Sequence, residues 1–111
     1  MLNQIVLVGR LIADVKKEKI EDKTFAKINL AVNRNYKNSE GVYETDVIDV
    51  DLWNGVADGT AEYCKKGDLI GIKGRIETAY YEFEDGTKIT RPVIKAEKVT
   101  FLSANHNLKG E

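Results

Sequence analysis

Hydrophobic and polar residues alternate with period two along most of the chain, the signature of half-buried strands. The clearest case is Thr45 to Gly55, TDVIDVDLWNG, where Ile48, Val50 and Leu52 share one face and Val47, Asp49, Asp51 and Trp53 the other. The apolar row belongs to a core, so the lone tryptophan is expected outside, beside two solvated carboxylates. A large aromatic so placed is either covered by a second subunit or used to hold a ligand. Thr24 to Arg34 repeats the pattern, with Ala26, Ile28, Leu30 and Val32 inward and Lys27, Asn29, Ala31 and Asn33 outward. Asp68 to Tyr81 does so again: Ile70, Ile72 and Ile76 inward, Lys73, Arg75, Glu77, Ala79 and Tyr81 outward.

Residues 4–12 are apolar on both faces, which suits a strand buried on both sides or paired at a subunit contact. Gly9 inside it suggests a bulge or bend. Asp14 to Lys23 is polar and reads as a loop or hairpin turn; Asn35 to Gly41 is a loop with Tyr36 between Arg34 and Lys37. Val56 to Lys66 predicts a short helix with Ala57, Ala61 and Cys64 on one face, Gly59 weakening its first turn, and Lys65-Lys66-Gly67 closing it. Glu84-Asp85-Gly86-Thr87 is a hairpin turn. Lys88 to Ala96 is the last strand, with Pro92 at an edge or bulge, and continues extended to Leu102 with Val99 and Phe101 packing. The order is three strands, a helix and two strands. It predicts an all-β fold, the five-stranded Greek-key barrel called the OB-fold, with one short helix between strands 3 and 4. A small sandwich leaves the helix unexplained. One domain, 1–102, is expected, followed by a polar tail, 103–111.

Composition narrows the function classes. At 111 residues, 42% hydrophobic and 32% charged, the chain suits one globular domain. No apolar run approaches the roughly 20 residues of a membrane span. The N-terminus reads as a strand rather than a basic leader, and the single cysteine, Cys64, has no internal partner; both predict the cytoplasm. Its helical neighbours make Cys64 a packing residue. Net charge is −1, so any nucleic-acid partner must be argued from charge distribution. Acids concentrate at 44–51 and 82–85, while Arg10, Arg34, Lys65, Lys66, Lys73 and Arg75 lie near strand ends.

Catalysis lacks parts. His106 is the only histidine and lies in the polar tail. Asp46, Asp49 and Asp51 are the one candidate Mg²⁺ set, for a nuclease, but Asp46 has the other parity and no base completes a site. No metal and no cofactor are expected. Nucleic-acid binding has more support: Tyr36, Trp53 and Tyr81 are outward aromatics on separate elements, interleaved with Arg34, Lys37, Lys73 and Arg75. Aromatics stack on bases and cations track the backbone in single-strand binding.

MLNQIVLVGRL, FAKINLAVNR, ETDVIDVDLWNG, EYCKKGDLIGIKGRIET and AEKVTFL, in this order, resemble the bacterial single-stranded DNA-binding protein family over Met1 to Leu102. The resemblance implies an OB-fold, usually in a homotetramer, that wraps single-stranded DNA during replication, recombination and repair, at the nucleoid and without a reaction. It assigns stacking roles to Tyr36, Trp53 and Tyr81, a basic role at the helix end to Lys66, and a polar role facing the strand to Asn29. Arg34, Lys37, Lys73 and Arg75 join them from face and proximity alone.

Departures are also plain. Val47 stands where the family commonly has an aromatic. Asp49, Glu77 and Ala79 replace more basic or neutral positions, and Ile48 stands where some members have histidine. The changes at Val47, Asp49, Glu77 and Ala79 predict weaker binding or a shifted strand path, and Ile48 a different oligomer packing. The glycine- and glutamine-rich tail with an acidic, phenylalanine-ended tip is missing, so tail-mediated recruitment of replication proteins is not expected; truncation and a phage or mobile-element origin both fit. Other readings stay open: a dimeric replication-restart accessory protein of the same fold, and an OB-fold adaptor with Trp53 at a protein contact.

Overall fold

The computed structural model describes residues 1–103; His106 and the tail beyond Ser103 lie outside the described residues. The elements are β1 (Ile5–Leu11), β2 (Glu18–Ile20), β3 (Lys23–Lys37), β4 (Tyr43–Trp53), α1 (Asn54–Tyr63), β5 (Leu69–Glu82) and β6 (Lys88–Ser103). The strands lie in the order β1-β5-β6-β4-β3-β2, and β1 also pairs with β3, which closes five of them into a barrel. This is the predicted OB-fold, with the helix between the third and fourth barrel strands. The addition is β2, three residues inside the segment expected to be a loop. It pairs with the start of β3 through a turn at Glu21, whose φ is 59°.

The alternation seen in the sequence becomes the barrel wall. Ala26, Ile28 and Leu30 of β3, Val50 and Leu52 of β4, and Ile70 and Ile72 of β5 are all buried, with Leu11 and Ala96 completing the core. Ala57 and Cys64 cap it from α1, together with buried Thr60, whose hydroxyl donates to the Val56 carbonyl at 2.7 Å. Burial pushes the Cys64 thiol up to about 11, with the Asp68 carboxylate adding to the effect. Its packing role holds.

Closing so small a barrel brings backbones together where no side chain fits. Gly9 is not a bulge: β1 pairs with β5 in unbroken register from Ile5 to Arg10, and a Cβ at Gly9 would sit 2.6 Å from the Ala31 carbonyl oxygen of β3. Gly74 is tighter, its Cβ position only 2.2 Å from the Lys95 carbonyl oxygen of β6, beside a register break in the β5–β6 ladder.

Several expectations shift. Ile76 was assigned inward but is 41% exposed, because β5 leaves the barrel beyond Gly74 and pairs with β6 alone in a two-stranded arm. The Asn3 side chain holds that departure point, donating to the Ile76 carbonyl at 2.7 Å and accepting from its N–H at 3.0 Å. Pro92 lies in the arm opposite Thr78, where its missing N–H costs no central ladder bond. Phe101, expected to pack, is half exposed, with its ring 5.8 Å from that of Tyr63. The helix starts and stops earlier than 56–66. Asn54 turns the strand into it with φ 53°, and Cys64 is already extended, leaving Lys65 and Lys66 in the turn to β5. The two faces of β1 separate: Leu7 packs against the core while Val6 and Val8 are 64% and 49% exposed.

Two outcomes follow for stability. Gly74→Ala forces a Cβ into backbone and should cost about 1–3 kcal/mol or more, whereas Gly59→Ala, with open space at its Cβ position, should gain about 0.5–1 kcal/mol; urea midpoints check both. Cys64, buried and with its thiolate disfavoured, should react with a disulfide reagent at pH 8 only as fast as the protein opens, and quickly in urea.

Candidate nucleic-acid interface

The outward positions of four strands form one continuous face. The register sets Phe25 beside Trp53, Lys27 beside Asp51, Asn29 beside Asp49 and Ala31 beside Val47 across β3 and β4. Asp51 then pairs with Lys95 across the parallel β4–β6 contact. On β5, Arg75 lies opposite Lys95, Ala79 opposite Arg91 and Tyr81 opposite Ile89. Trp53 therefore stands on β4 and Tyr81 on β5, with β6 between them.

Trp53 is not simply solvated. It is half-buried, its ring 4.6 Å from that of Phe25 at 53°, with Lys95 Nζ 5.9 Å from its centroid. Its indole N–H is buried without a hydrogen-bond partner among the described residues. Asp51 corrects the expectation of a solvated carboxylate: its side chain is 17% exposed, and its buried Oδ1 has only Lys27 Nζ, at 3.7 Å. Asp49 accepts a hydrogen bond from the Asn29 side-chain amide, so these two candidates neutralise each other's polar demand. Val47 is 59% exposed and offers no ring.

Tyr81 is 42% exposed with the Arg91 guanidinium 5.9 Å over its ring. Tyr36 is 60% exposed at the far end of the β3–β4 hairpin. Lys37, expected beside Tyr36, places its Nζ 5.6 Å over the Tyr43 ring instead. That hairpin is shaped by Asn38, whose side-chain Oδ1 accepts the N–H groups of Glu40 and Val42, and by Gly41 at φ 80°.

The cations divide into engaged and free. Arg34 takes Asp46 through two nitrogens, at 3.1 and 2.9 Å, and Glu44 through a third at 2.6 Å. Its parity is that of Val32 and Asp46, the opposite row from Trp53. The hydrogen bonds from Arg34 hold the Asp46 carboxyl below the usual carboxylate range and keep the guanidinium still more firmly protonated. Arg75 is engaged the same way, by Glu77 at 2.6 Å and Glu97 at 2.9 Å. The Arg75 hydrogen bond, with Lys95 nearby, lowers the Glu77 pKa. Lys73 is exposed, opposite Val6 on one side and Lys98 on the other. Lys66 lies away from this face, in the α1–β5 turn, with its backbone N–H held by Asp14 at 2.7 Å.

Sequence reasoning missed Phe25, Lys95, Arg91 and Lys98. Arg91 and Lys95 share odd parity on the last strand, but only the pairing of β6 with both β4 and β5 puts them beside Trp53 and Tyr81. The exposed rings of Tyr43, Tyr80 and Phe83 were also passed over.

The single-strand binding protein family matches residues 2–102. The chain is 41% identical to single-stranded DNA-binding protein B of Bacillus subtilis (strain 168), over 92% of this chain and 91% of that one. It is 40% identical to single-stranded DNA-binding protein 3 of Listeria innocua, over 99% of this chain and 69% of the relative. The single-stranded DNA-binding protein of Streptococcus mutans is 36% identical, over 100% and 68%. A closed five-stranded barrel, an aromatic and basic outer face, and a match over nearly the whole described length lead to one conclusion: the chain belongs to the single-strand binding protein family.

Proposed function

We propose that this protein binds single-stranded DNA without sequence preference and protects it during replication, recombination and repair. The observation that carries the reading is Trp53, wedged against Phe25 and Lys95 on an outward face that ends in Tyr81. A ring fixed by its neighbours loses little freedom when a base stacks on it, and every base has a π-face, so such platforms are sequence-tolerant. Trp53, Tyr81 and Tyr36 are the proposed stacking residues. Lys37 and Lys73 hold the backbone, and Lys66 holds a strand that continues past the α1–β5 turn. Asn29 contributes a side chain once it exchanges Asp49 for a ligand, and Arg34 and Arg75 contribute once phosphate displaces their carboxylates. The work is binding, with no reaction and no cofactor.

The same reading extends to assembly and place. Val6 and Val8 form an exposed apolar edge on β1, continuous with Leu102, whose methyl lies 3.7 Å from the Cβ position of Gly71. A second copy covering this face gives the homo-oligomer we propose, a tetramer by preference over a dimer. No helix among the described residues is long and apolar enough to cross a membrane. We place the protein in the cytoplasm, at the nucleoid.

Titration with oligo(dT) should strongly quench Trp53 emission, while duplex DNA should leave it little changed; unchanged emission with both overturns the stacking role. Tyr81→Ala should weaken oligo(dT) binding by about 1–3 kcal/mol, roughly 5- to 150-fold. Light scattering on the purified protein should give a mass above one chain, and Val6→Asp with Val8→Asp should lower it toward the monomer; a monomeric parent protein removes the assembly reading.

A further inference from the structure

The candidate cations are unequal, and β6 carries those best placed to move. Arg34 and Arg75 each satisfy two carboxylates, so a phosphate approaching either must first break several charge-assisted hydrogen bonds. On β6, Arg91 makes no ion pair among the described residues and lies over the Tyr81 ring. Lys95 has a single longer contact, Glu77 at 3.5 Å, and lies over the Trp53 ring. Four residues separate them, about 13 Å at roughly 3.3 Å per strand residue.

The register break in the β5–β6 ladder then does something the alternation alone would not. Lys95 faces Arg75 and Ala96 faces Gly74, but the next pair is Lys98 with Lys73, leaving Glu97 as the extra residue. Two residues now oppose one, so the outward row passes from odd to even numbers and Lys98 joins the side already holding Arg91 and Lys95. Glu97 is drawn off to Arg75 Nη1 at 2.9 Å. The acids that face this row are Glu77, Glu97 and Asp51. The first two are shared with Arg75, and the third lies toward Lys27.

We infer that Arg91, Lys95 and Lys98 form a phosphate rail along β6, which holds the phosphodiester backbone of a single strand while its bases stack on Trp53 and Tyr81. The rail occupies the strand between the two aromatics, and the bulge at Glu97 extends it toward Lys73. This inference rests on the single-strand reading above and adds the residues that carry its electrostatic part.

The test is the salt dependence of oligo(dT) binding. Each phosphate neutralised on a single strand contributes about −0.7 to the slope of log affinity against log salt. Arg91→Gln, Lys95→Gln and Lys98→Gln should each make the slope shallower by about 0.7, and the triple variant by about 2. Arg91→Lys and Lys95→Arg should retain it, and Lys17→Gln, whose Nζ is paired with Asp58 of α1, should leave it unchanged. Thermal melts confirm that each variant folds. A triple variant that is folded and keeps the parent slope overturns the rail while leaving single-strand binding intact. A parent protein whose Trp53 emission and affinity ignore oligo(dT) overturns the binding reading, and the rail with it.

Discussion

Barrel closure at two bare backbone contacts is the constraint on which the rest depends. β1 must pair with β5 along one edge and with β3 along the other, and at Gly9 and Gly74 the neighbouring chain comes so near that a single added carbon would overlap a carbonyl oxygen. Closure leaves no unpaired edge around the five-stranded wall and buries one small aliphatic core. It also fixes which side chains face out together. Once β6 is held against β5 at Gly74 and β4 against β6 at Val50 and Asp51, Trp53, Lys95 and Arg75 are set on neighbouring strands of one outward face. The proposed binding face is a consequence of the way the core is sealed.

The joint between β4 and α1 shows the same economy. Trp53 ends the strand and precedes the helix, so its backbone is held from both sides. Phe25 and Lys95 limit its ring, and Asn54 turns the chain away with positive φ while its side-chain oxygen accepts from the Thr24 N–H at 3.3 Å. A cation over an indole within about 6 Å is worth about 0.5–1 kcal/mol at an exposed site. That is enough to bias the orientation of Lys95 and too little to prevent its moving to a phosphate. The ring is thus ordered before any ligand arrives, and the charge beside it stays adaptable.

Period-two alternation was sufficient to place the core. Ile28, Leu30, Val50, Leu52, Ile70 and Ile72 all turned inward because a strand with one apolar row has only one stable way to face a hydrophobic interior. Alternation names a face but not what covers it, which is why Ile76 followed the inward row into an arm where nothing packs against it. Partner choice was legible only where it is local. Tyr36 beside Arg34 suggested a platform, yet the arginine answers to Asp46, twelve residues on, through a β3–β4 register that no short window contains. Phe25, Arg91 and Lys98 escaped for the same reason: their significance lies in cross-strand pairing, and for Lys98 in a bulge that changes parity midway along a strand. The aromatic half of the candidate site could be read from residue types, whereas the electrostatic half required the register.

A chain with a net charge of −1 has no global attraction for a polyanion. What matters is how opposite charges are spent. Asp46 and Glu44 are consumed by Arg34, Glu77 and Glu97 largely by Arg75, and Asp49 by the amide of Asn29. Paired acids present little field beyond a Debye length of roughly 8 Å at physiological salt, so the weakly engaged cations on β6 and Lys73 dominate what an approaching strand meets. In the proposed site the carboxylates on Arg34 and Arg75 hold places a phosphate would take, so binding there would exchange one anion for another. A surface organised this way should bind more weakly than an all-basic one of the same shape. At Arg34 and Arg75 a carboxylate stands ready to replace a departing phosphate.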